Sequence, residues 1–404
     1  MTKKSQTSVD GSILILGGGP IGMLCALLLA RQGWNCEIFD ARPAQAMERD
    51  RRLLALSRGS LLTLESLLGI GFAPAAPIER VHVSSRGEPG TVRLGARDFG
   101  DTAVGATVWF GDLTAALAKA CSGDAKIRVH RPRRVVRVAQ QPECVRIVLD
   151  DGTQREGSLA LDAEGTPPRS LAARSYAVIA EIELDGLAHG DAFERFTREG
   201  PLALLPVPDG TALAPEPSPR PGVGMGSRRM SMIWCLPAAV AQERLATGDD
   251  ELRERLAAAL GPRFARPSWI GPRSGFPLAT HRLERIWEHR LVHLGNAAQT
   301  LHPVAGQGFN LGIRDCVCLR DALATIGACG DGASADPVRA RESYVHARRV
   351  DRHAVPDLTS ALPLVFGPAF GPLAIARSAA LLALDSIPAL RRPFTRLLMF
   401  GMPR

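Results

Sequence analysis

Residues 12–22, Ser-Ile-Leu-Ile-Leu-Gly-Gly-Gly-Pro-Ile-Gly, decide the fold. The apolar run 13–16 is typical of a short buried strand, and the apolar stretch 20–31 has the length of a helix. A second apolar run, 36–39, follows and is closed by Asp40. Strand, helix and strand in this order indicate a βαβ unit, which implies a parallel sheet.

A glycine pattern, GxGxxG, lies between the first strand and the helix, at positions 17, 19 and 22. One glycine permits a tight turn, one lets the backbone approach a pyrophosphate, and one lets the helix pack on the strand. Asp40 lies 18 residues after Gly22, a spacing typical of the acid that holds a ribose hydroxyl. These features together predict dinucleotide binding rather than a structural turn. The candidate cofactor-binding residues are Gly17, Gly19, Pro20, Ile21, Gly22, Asp40, Ala41 and Arg42.

Length and composition limit the number of domains and the classes of protein to which the chain could belong. A chain of 404 residues is expected to form two or three domains. The share of hydrophobic residues, 46%, excludes a disordered chain. The net charge of +8 comes from an excess of arginine, which we interpret as compositional bias. We therefore expect no nucleic-acid partner.

The cysteines and the N-terminus indicate a cytoplasmic protein. The eight cysteines contain no CxxC pair, so we expect free thiols in a reducing compartment and no metal site. The apolar N-terminal stretch resembles a signal peptide, but the glycines and proline at 17–20 interrupt it. No segment reaches the ~18 apolar residues that a spanning helix needs. We expect peripheral membrane contact at most.

The rest of the chain predicts a discontinuous nucleotide domain. Residues 127–163 are typical of β structure, and alternation from 176 to about 270 indicates an inserted antiparallel sheet with a Pro- and Gly-rich loop at 213–228. A buried strand returns at 290–294, and a helix begins near Gly308. The predicted domains are 1–175 with 276–350 for the cofactor, 176–275 for the substrate, and 351–404 as a C-terminal helical segment.

Two further motifs carry chemistry. The first is a strand that ends in Glu164-Gly165, a pattern too common to indicate function alone. The second is the run GNAAQTLHPVAGQGFNLGIRD at 295–315, where a strand leads through a glycine-rich loop into a helix. The amides at that helix start would stabilise a negative charge by ~0.3–1 kcal/mol, and by up to ~2 kcal/mol where partly buried.

The run 295–315 resembles the ubiquinone-biosynthesis hydroxylases, the UbiH, UbiF and Coq6 branch of the class A flavoprotein monooxygenases. The stretches VHVSSRG (81–87) and AFERFTREGPLALLPVPDG (192–210) resemble the UbiH subgroup, which hydroxylates 2-polyprenyl-6-methoxyphenol. The resemblance implies the para-hydroxybenzoate hydroxylase fold. This is an α/β fold with a Rossmann-like FAD-binding domain of glutathione-reductase type, an inserted antiparallel-sheet substrate domain and a C-terminal helical tail.

The resemblance also implies an activity. FAD would be reduced by NAD(P)H, most simply NADPH, and O2 would form a C4a-hydroperoxide that hydroxylates an aromatic ring. The implied partners are a lipid-soluble phenolic substrate and other quinone-biosynthesis enzymes. Two alternatives stay open: an FAD oxidoreductase of this fold acting on another phenol or isoprenoid, and a non-catalytic scaffold with a degenerate flavin site. Glu164 stands where the family has Asp, and the segment 108–113, which contains Asp112, lacks the family's usual Gln/Arg pair. These two departures leave the scaffold alternative open.

The remaining candidate residues follow from the resemblance. Arg52 and Ser57 lie in a stretch similar to the family's DGRAIALS segment, and Asn296 takes the place of an Asp. Residues 303–310 would lie along the isoalloxazine, with the amides of 308–310 at its N1/O2 edge. The implied cofactor-binding residues are Arg52, Ser57, Val136, Glu164, Gly165, Asn296, Pro303, Gly306, Gln307, Gly308, Phe309 and Asn310.

Three features have competing interpretations. His302 is the single candidate catalytic residue, for substrate orientation or proton transfer, and a purely structural role is equally open. His289 and His293 have the spacing of zinc ligands on a helix, but His293 falls in a strand, so we predict ordinary histidines. The apolar and Arg-containing segment 361–400 forms either core-covering helices or a membrane-facing patch, and we favour the patch.

Overall fold

The computed structural model describes residues 11–43, 46–47, 50–88, 90–165, 173–210, 227–301, 306–326, 336–365 and 372–401. His302, Pro303 and most of the predicted loop 213–228 lie outside the described residues. The described residues build two large sheets, three small ones and a set of covering helices.

The first large sheet is the predicted nucleotide-binding sheet. Its strands lie in the order β20-β21-β12-β1-β2-β8, and all neighbours are parallel except β20 and β21. Strand β1 is fully buried because helices and a small sheet cover both faces. The strands are β1 (Ile13–Leu16), β2 (Cys36–Phe39), β8 (Ile127–His130), β12 (Leu159–Asp162), β20 (Trp287–Glu288) and β21 (Leu291–His293).

The helices that accompany this sheet are apolar where they face it. Helix α1 is buried on nearly every side, and the absence of a side chain at Gly312 brings α6 against Ile21 of α1. The helices are α1 (Pro20–Ala30), α2 (Arg58–Leu68), α3 (Phe110–Ser122) and α6 (Gln307–Ala324).

The second large sheet runs β17-β13-β16-β15-β14-β5-β6, with β18 also paired to β13. The prediction of an antiparallel sheet within 176–275 was incomplete, since two strands come from residues 80–95 and one of them pairs in parallel with β14. Helices α4 (Ala238–Ala246) and α5 (Asp249–Leu260) cover one face. The strands are β5 (Arg80–Ser85), β6 (Thr91–Gly95), β13 (Ser175–Leu184), β14 (Asp191–Phe196), β15 (Pro201–Pro206), β16 (Arg228–Pro237), β17 (Trp269–Ile270) and β18 (Ser274–Leu278).

Three small sheets join or flank the large ones. The sheet β3-β7-β4 lies between them, since Thr107 Oγ1 of β7 donates to Pro206 O of β15. The sheets are β3 (Leu53–Ser57) with β7 (Gly105–Trp109) and β4 (Ala75–Ile78); β9 (Val135–Gln140), β10 (Val145–Leu149) and β11 (Gln154–Gly157); and β19 (His281–Arg282) with β22 (Gln299–Thr300).

The C-terminal helices pack on both large sheets. They are α7 (Arg341–Val365), α8 (Pro372–Ser386) and α9 (Pro388–Phe400). Asp385 of α8 accepts a hydrogen bond of 2.8 Å from the amide of Arg93, so α8 covers the outer edge of β6. Met399 of α9 is fully buried beside Ile78 and Ala192. Across the described ranges no helix combines the length and apolar character needed to cross a membrane.

Candidate functional site

The predicted motifs meet at the carboxyl edge of the first sheet. The amide of Gly17 donates to Phe39 O at 2.8 Å, and that of Ala163 to Leu16 O at 2.7 Å. The third motif begins at the same edge, because Leu294 N, just before Gly295, donates to Asp162 O at 2.9 Å. Parallel sheets bind ligands at this edge, so the three motifs form one site.

The glycine loop is closed tightly against the end of β12. Gly17 has a φ of +101°, and a Cβ placed on it would lie 2.5 Å from Ala163 O. A Cβ on Gly22 would lie 2.0 Å from Gly17 O. Within the described part of the chain no side chain caps the start of α1, and its first turn holds no acidic residue. The first amides of α1 are therefore suited to an anion.

Asp40 fixes this loop from the end of β2. Its carboxylate accepts hydrogen bonds from the amides of Gly18 and Arg42, both at 2.8 Å, and from the Arg42 guanidinium at 3.0 and 3.1 Å. Burial alone would raise the pKa of Asp40, but the hydrogen bonds and charge of Arg42 outweigh it, so the pKa lies below its usual value. Asp40 is therefore ionised at neutral pH and can also accept a ribose hydroxyl.

Arg131 is a member of the site that sequence reasoning missed. It follows β8, and its guanidinium donates to the carbonyl of Gly18 and approaches Met23 Sδ at 3.9 Å. The sequence signal was the end of a parallel strand next to β2. A guanidinium on the glycine loop adds positive charge where an anionic group would bind.

Asn310 links the third motif to β3. Its side-chain oxygen accepts from the amide of Ser57 at 2.9 Å, and its side-chain nitrogen donates to Ala55 O at 3.0 Å and Gly306 O at 2.9 Å. Gly306 adopts a left-handed conformation, with φ of +60°, just before α6 begins at Gln307. Two regions predicted from separate motifs, Ser57 and 306–310, are therefore one unit.

Two of the predicted cofactor-binding residues, Arg52 and Val136, lie away from the glycine loop. Arg52 pairs with Asp50 at 2.6 Å, and its guanidinium carbon lies 4.6 Å from the Phe110 ring centroid and 6.0 Å from that of Phe276. It thus lies between the two large sheets rather than on the glycine loop. Val136 is 58% exposed on β9, so its side chain faces solvent.

The two departures from the family pattern have separate environments. Burial, with the nearby charge of Asp162, raises the pKa of Glu164 above its usual value. Gly165 stands beside Asn296, since a Cβ on Gly165 would lie 3.9 Å from Asn296 Cβ. Asp112 is buried in the first turn of α3. An Asp there suits the positive helix end but would repel a phosphate.

The residues present fit FAD. The amides of α1 and the guanidinium of Arg131 suit the pyrophosphate, and Asp40 suits the ribose. The start of α6 likewise has no acidic residue in its first turn and no capping side chain among the described residues. Its amides suit the negative N1/O2 edge of a reduced flavin. The described residues contain no group of three His, Cys, Asp or Glu side chains able to hold a metal. His293 instead pairs with Asp162 at 2.9 Å.

Comparisons with known proteins support the predicted family. A sequence profile of an FAD-binding domain matches residues 202–340. The ubiquinone hydroxylase UbiL of Rhodospirillum rubrum is 26% identical over 95% of this chain and 88% of its own length. The 3-demethoxyubiquinol 3-hydroxylase of Escherichia coli is 25% identical over 96% of this chain and 98% of its own. The chain is thus similar, over nearly its whole length, to FAD-dependent hydroxylases of the ubiquinone pathway.

Solved structures confirm the fold of this monooxygenase. The probable FAD-dependent monooxygenase pqsL of Pseudomonas aeruginosa superposes with a TM-score of 0.71 at 19% identity, over 92% of this chain and 98% of its own. The p-nitrophenol 4-monooxygenase PnpA of Pseudomonas putida also gives 0.71, at 15% identity, over 98% and 99%. The predicted family, fold class, enzyme class and FAD cofactor are confirmed, and the scaffold alternative is not favoured.

Proposed function

We propose that this monooxygenase hydroxylates the aromatic ring of a polyprenyl phenol in ubiquinone biosynthesis, with NADPH as the reductant. The observation that carries the proposal is the meeting of three motifs at one sheet edge in a chain similar, over nearly its whole length, to two named ubiquinone-pathway hydroxylases. Bound FAD supplies the redox chemistry, by taking hydride and activating O2. The protein has to bind FAD and the substrate, orient the substrate ring and exclude water.

The described residues divide these tasks. Asp40 and the start of α1 hold the adenosine and pyrophosphate part of FAD, and the start of α6 stabilises negative charge on the flavin ring. We assign the second large sheet to substrate binding. Its strand β15 is joined to β7 by Thr107, and its strand β18 reaches Arg52 through Phe276. The ring substrate would therefore be enclosed between this sheet and the flavin.

Turnover with defined ring substrates tests the function. We expect purified protein to be yellow, to release FAD on denaturation, and to oxidise NADPH faster when a 2-polyprenyl-6-methoxyphenol is added, with a matching hydroxylated product. A demethoxyubiquinol analogue, assayed in parallel, distinguishes the ring position. NADPH oxidation that no phenol stimulates, or oxidation without a hydroxylated product, would contradict the proposal.

We further propose that α8 and α9 contact a membrane surface, where a polyprenyl substrate resides. The helices and the residue between them expose large apolar side chains, and Arg392 and Arg396 of α9 are exposed as well. An apolar surface with arginines suits the interface of an anionic bilayer. The exposed apolar side chains are Ile375, Leu382, Ile387, Leu390 and Phe400.

Vesicle sedimentation tests this surface. We expect the full chain to sediment with vesicles containing about 30% anionic lipid. The variant Leu382→Glu/Leu390→Glu should lose most of that binding, because glutamates remove apolar contact with the bilayer and are repelled by anionic lipid. Val136→Glu is the control, since Val136 is 58% exposed, against 47% for Leu382 and 52% for Leu390, but lies on β9. Equal sedimentation of the double variant and the wild type would refute the membrane proposal.

A further inference from the structure

Four charged residues, three of them buried and Arg314 nearly so, connect Gly295 with Gln307 at the start of α6. Asp315 accepts a hydrogen bond of 2.8 Å from the amide of Gly295, at the start of the loop. At its other end, Gln307 Oε1 accepts from Arg314 Nη2 at 3.1 Å. Both Asp315 and Arg314 lie on α6, on the side that meets α7. We call residues 295–307, which lead from Gly295 to the start of α6, the flavin loop.

Helix α7 completes the connection. Arg348 donates through Nε to Asp315 at 2.7 Å and through Nη1 to Asp351 Oδ2 at 2.7 Å. The same oxygen of Asp351 accepts from Arg314 Nη1 at 3.3 Å. We call Arg314, Asp315, Arg348 and Asp351 the α6–α7 clamp. It forms an unbroken path from the Gly295 amide to Gln307.

Burial makes the clamp sensitive to the loss of any member. The side chains of Arg348 and Asp315 are each 1% exposed. A charge buried this deeply persists only while its partners remain, so removing one leaves the others uncompensated. Arg348 and Asp351, the two clamp residues on α7, lie outside the three motifs. None of the four clamp residues was predicted as a site residue.

We propose that the α6–α7 clamp positions the flavin loop: it fixes Gly295 and Gln307 and so sets the backbone at both ends of 295–307 against bound FAD. The inference rests on FAD binding at this loop. The members of the clamp are positioning residues, because they act through Gly295 and Gln307. Helix α7 thereby has a role in cofactor binding beyond covering the core.

The variant Arg348→Met tests the clamp against a matched control, Arg244→Met. Arg244 is 3% exposed and pairs with Glu199 at 2.8 Å and Glu243 at 2.7 Å, but it lies on α4. We expect both variants to lower Tm. Only Arg348→Met should raise the Kd for FAD, by about tenfold, and change the visible circular dichroism of the flavin at saturating FAD. Arg348→Lys should restore part of the affinity.

A second measurement does not depend on FAD. Hydrogen exchange of the peptide that spans Gly295 should be faster in Arg348→Met than in the wild type and unchanged in Arg244→Met. Asp351→Asn should show the same acceleration if Arg348→Met does not fold. Wild-type exchange at Gly295 in these variants, or an unchanged Kd and flavin spectrum, would overturn the clamp. Failure of the wild type to bind FAD would instead count against the proposed function.

Discussion

Gly17→Ala should remove FAD binding, with a Kd raised by at least about 100-fold, or ~2.7 kcal/mol. A Cβ at this position would lie 2.5 Å from Ala163 O, and the φ of +101° is unfavourable for alanine. Since Ala163 leads directly from β12 into Glu164 and Gly165, the backbone shift would disturb two motifs at once. Titration of apoprotein with FAD, followed by flavin fluorescence, measures the effect.

Gly152→Ala is the control for Gly17→Ala. Gly152 also has a positive φ, of +80°, but a Cβ there would meet nothing within 4 Å. It therefore carries the conformational cost without the collision, and we expect FAD affinity to remain at the wild-type level. Similar losses in the two variants would show that strain, rather than the close approach to β12, explains the effect.

Asn310→Leu should give the second largest effect. The substitution leaves the amide of Ser57 and the carbonyls of Ala55 and Gly306 without their partner, at about 1–3 kcal/mol for each buried group. We expect the free energy of unfolding to fall by about 3 kcal/mol and FAD to bind weakly. Thermal unfolding of FAD-free protein and an FAD titration measure the two effects.

Gln299→Leu provides the contrast for Asn310→Leu. Gln299 is an equally buried amide of the same motif, but neither of its side-chain amide atoms has a hydrogen-bond partner among the described residues. Replacing it should leave the Tm of FAD-free protein unchanged or raised. A similar loss of Tm in both variants would mean that shape, not hydrogen bonding, makes Asn310 important.

The sequence predicted the site best where local backbone geometry alone determines the chemistry. Gly17, Gly22 and Asp40 are recognisable because a turn, a close approach and a strand end each demand a particular residue type. Asn310 was predicted from its motif, but its bonds to Ser57 and Ala55 were not, because these residues are some 250 positions away.

Residues that act through distant partners could not be predicted. Arg131 resembles any arginine after a strand until β8 is placed beside β2. The pairing of Asp315 with Arg348 depends on how α6 and α7 cross, which periodicity does not define. The position of Arg52 between Phe110 and Phe276 likewise follows from packing between the sheets. Residues 80–95 gave no sign that they belong to the second sheet, because their partner strand is remote in sequence.

That remote pairing affects how the protein is made. Arg80 of β5 contacts Asp191 of β14, 111 residues later in the chain. On a ribosome adding 5–20 residues per second, β5 and β6 would wait roughly 6–20 s for this neighbour. Any hairpin that β5 and β6 form in that interval would have an unpaired edge and an uncovered apolar face, since α8 emerges later still. We infer that nascent chains that already contain β5 and β6 but not yet β14 depend most on protection from aggregation. The second sheet would then close only late in synthesis.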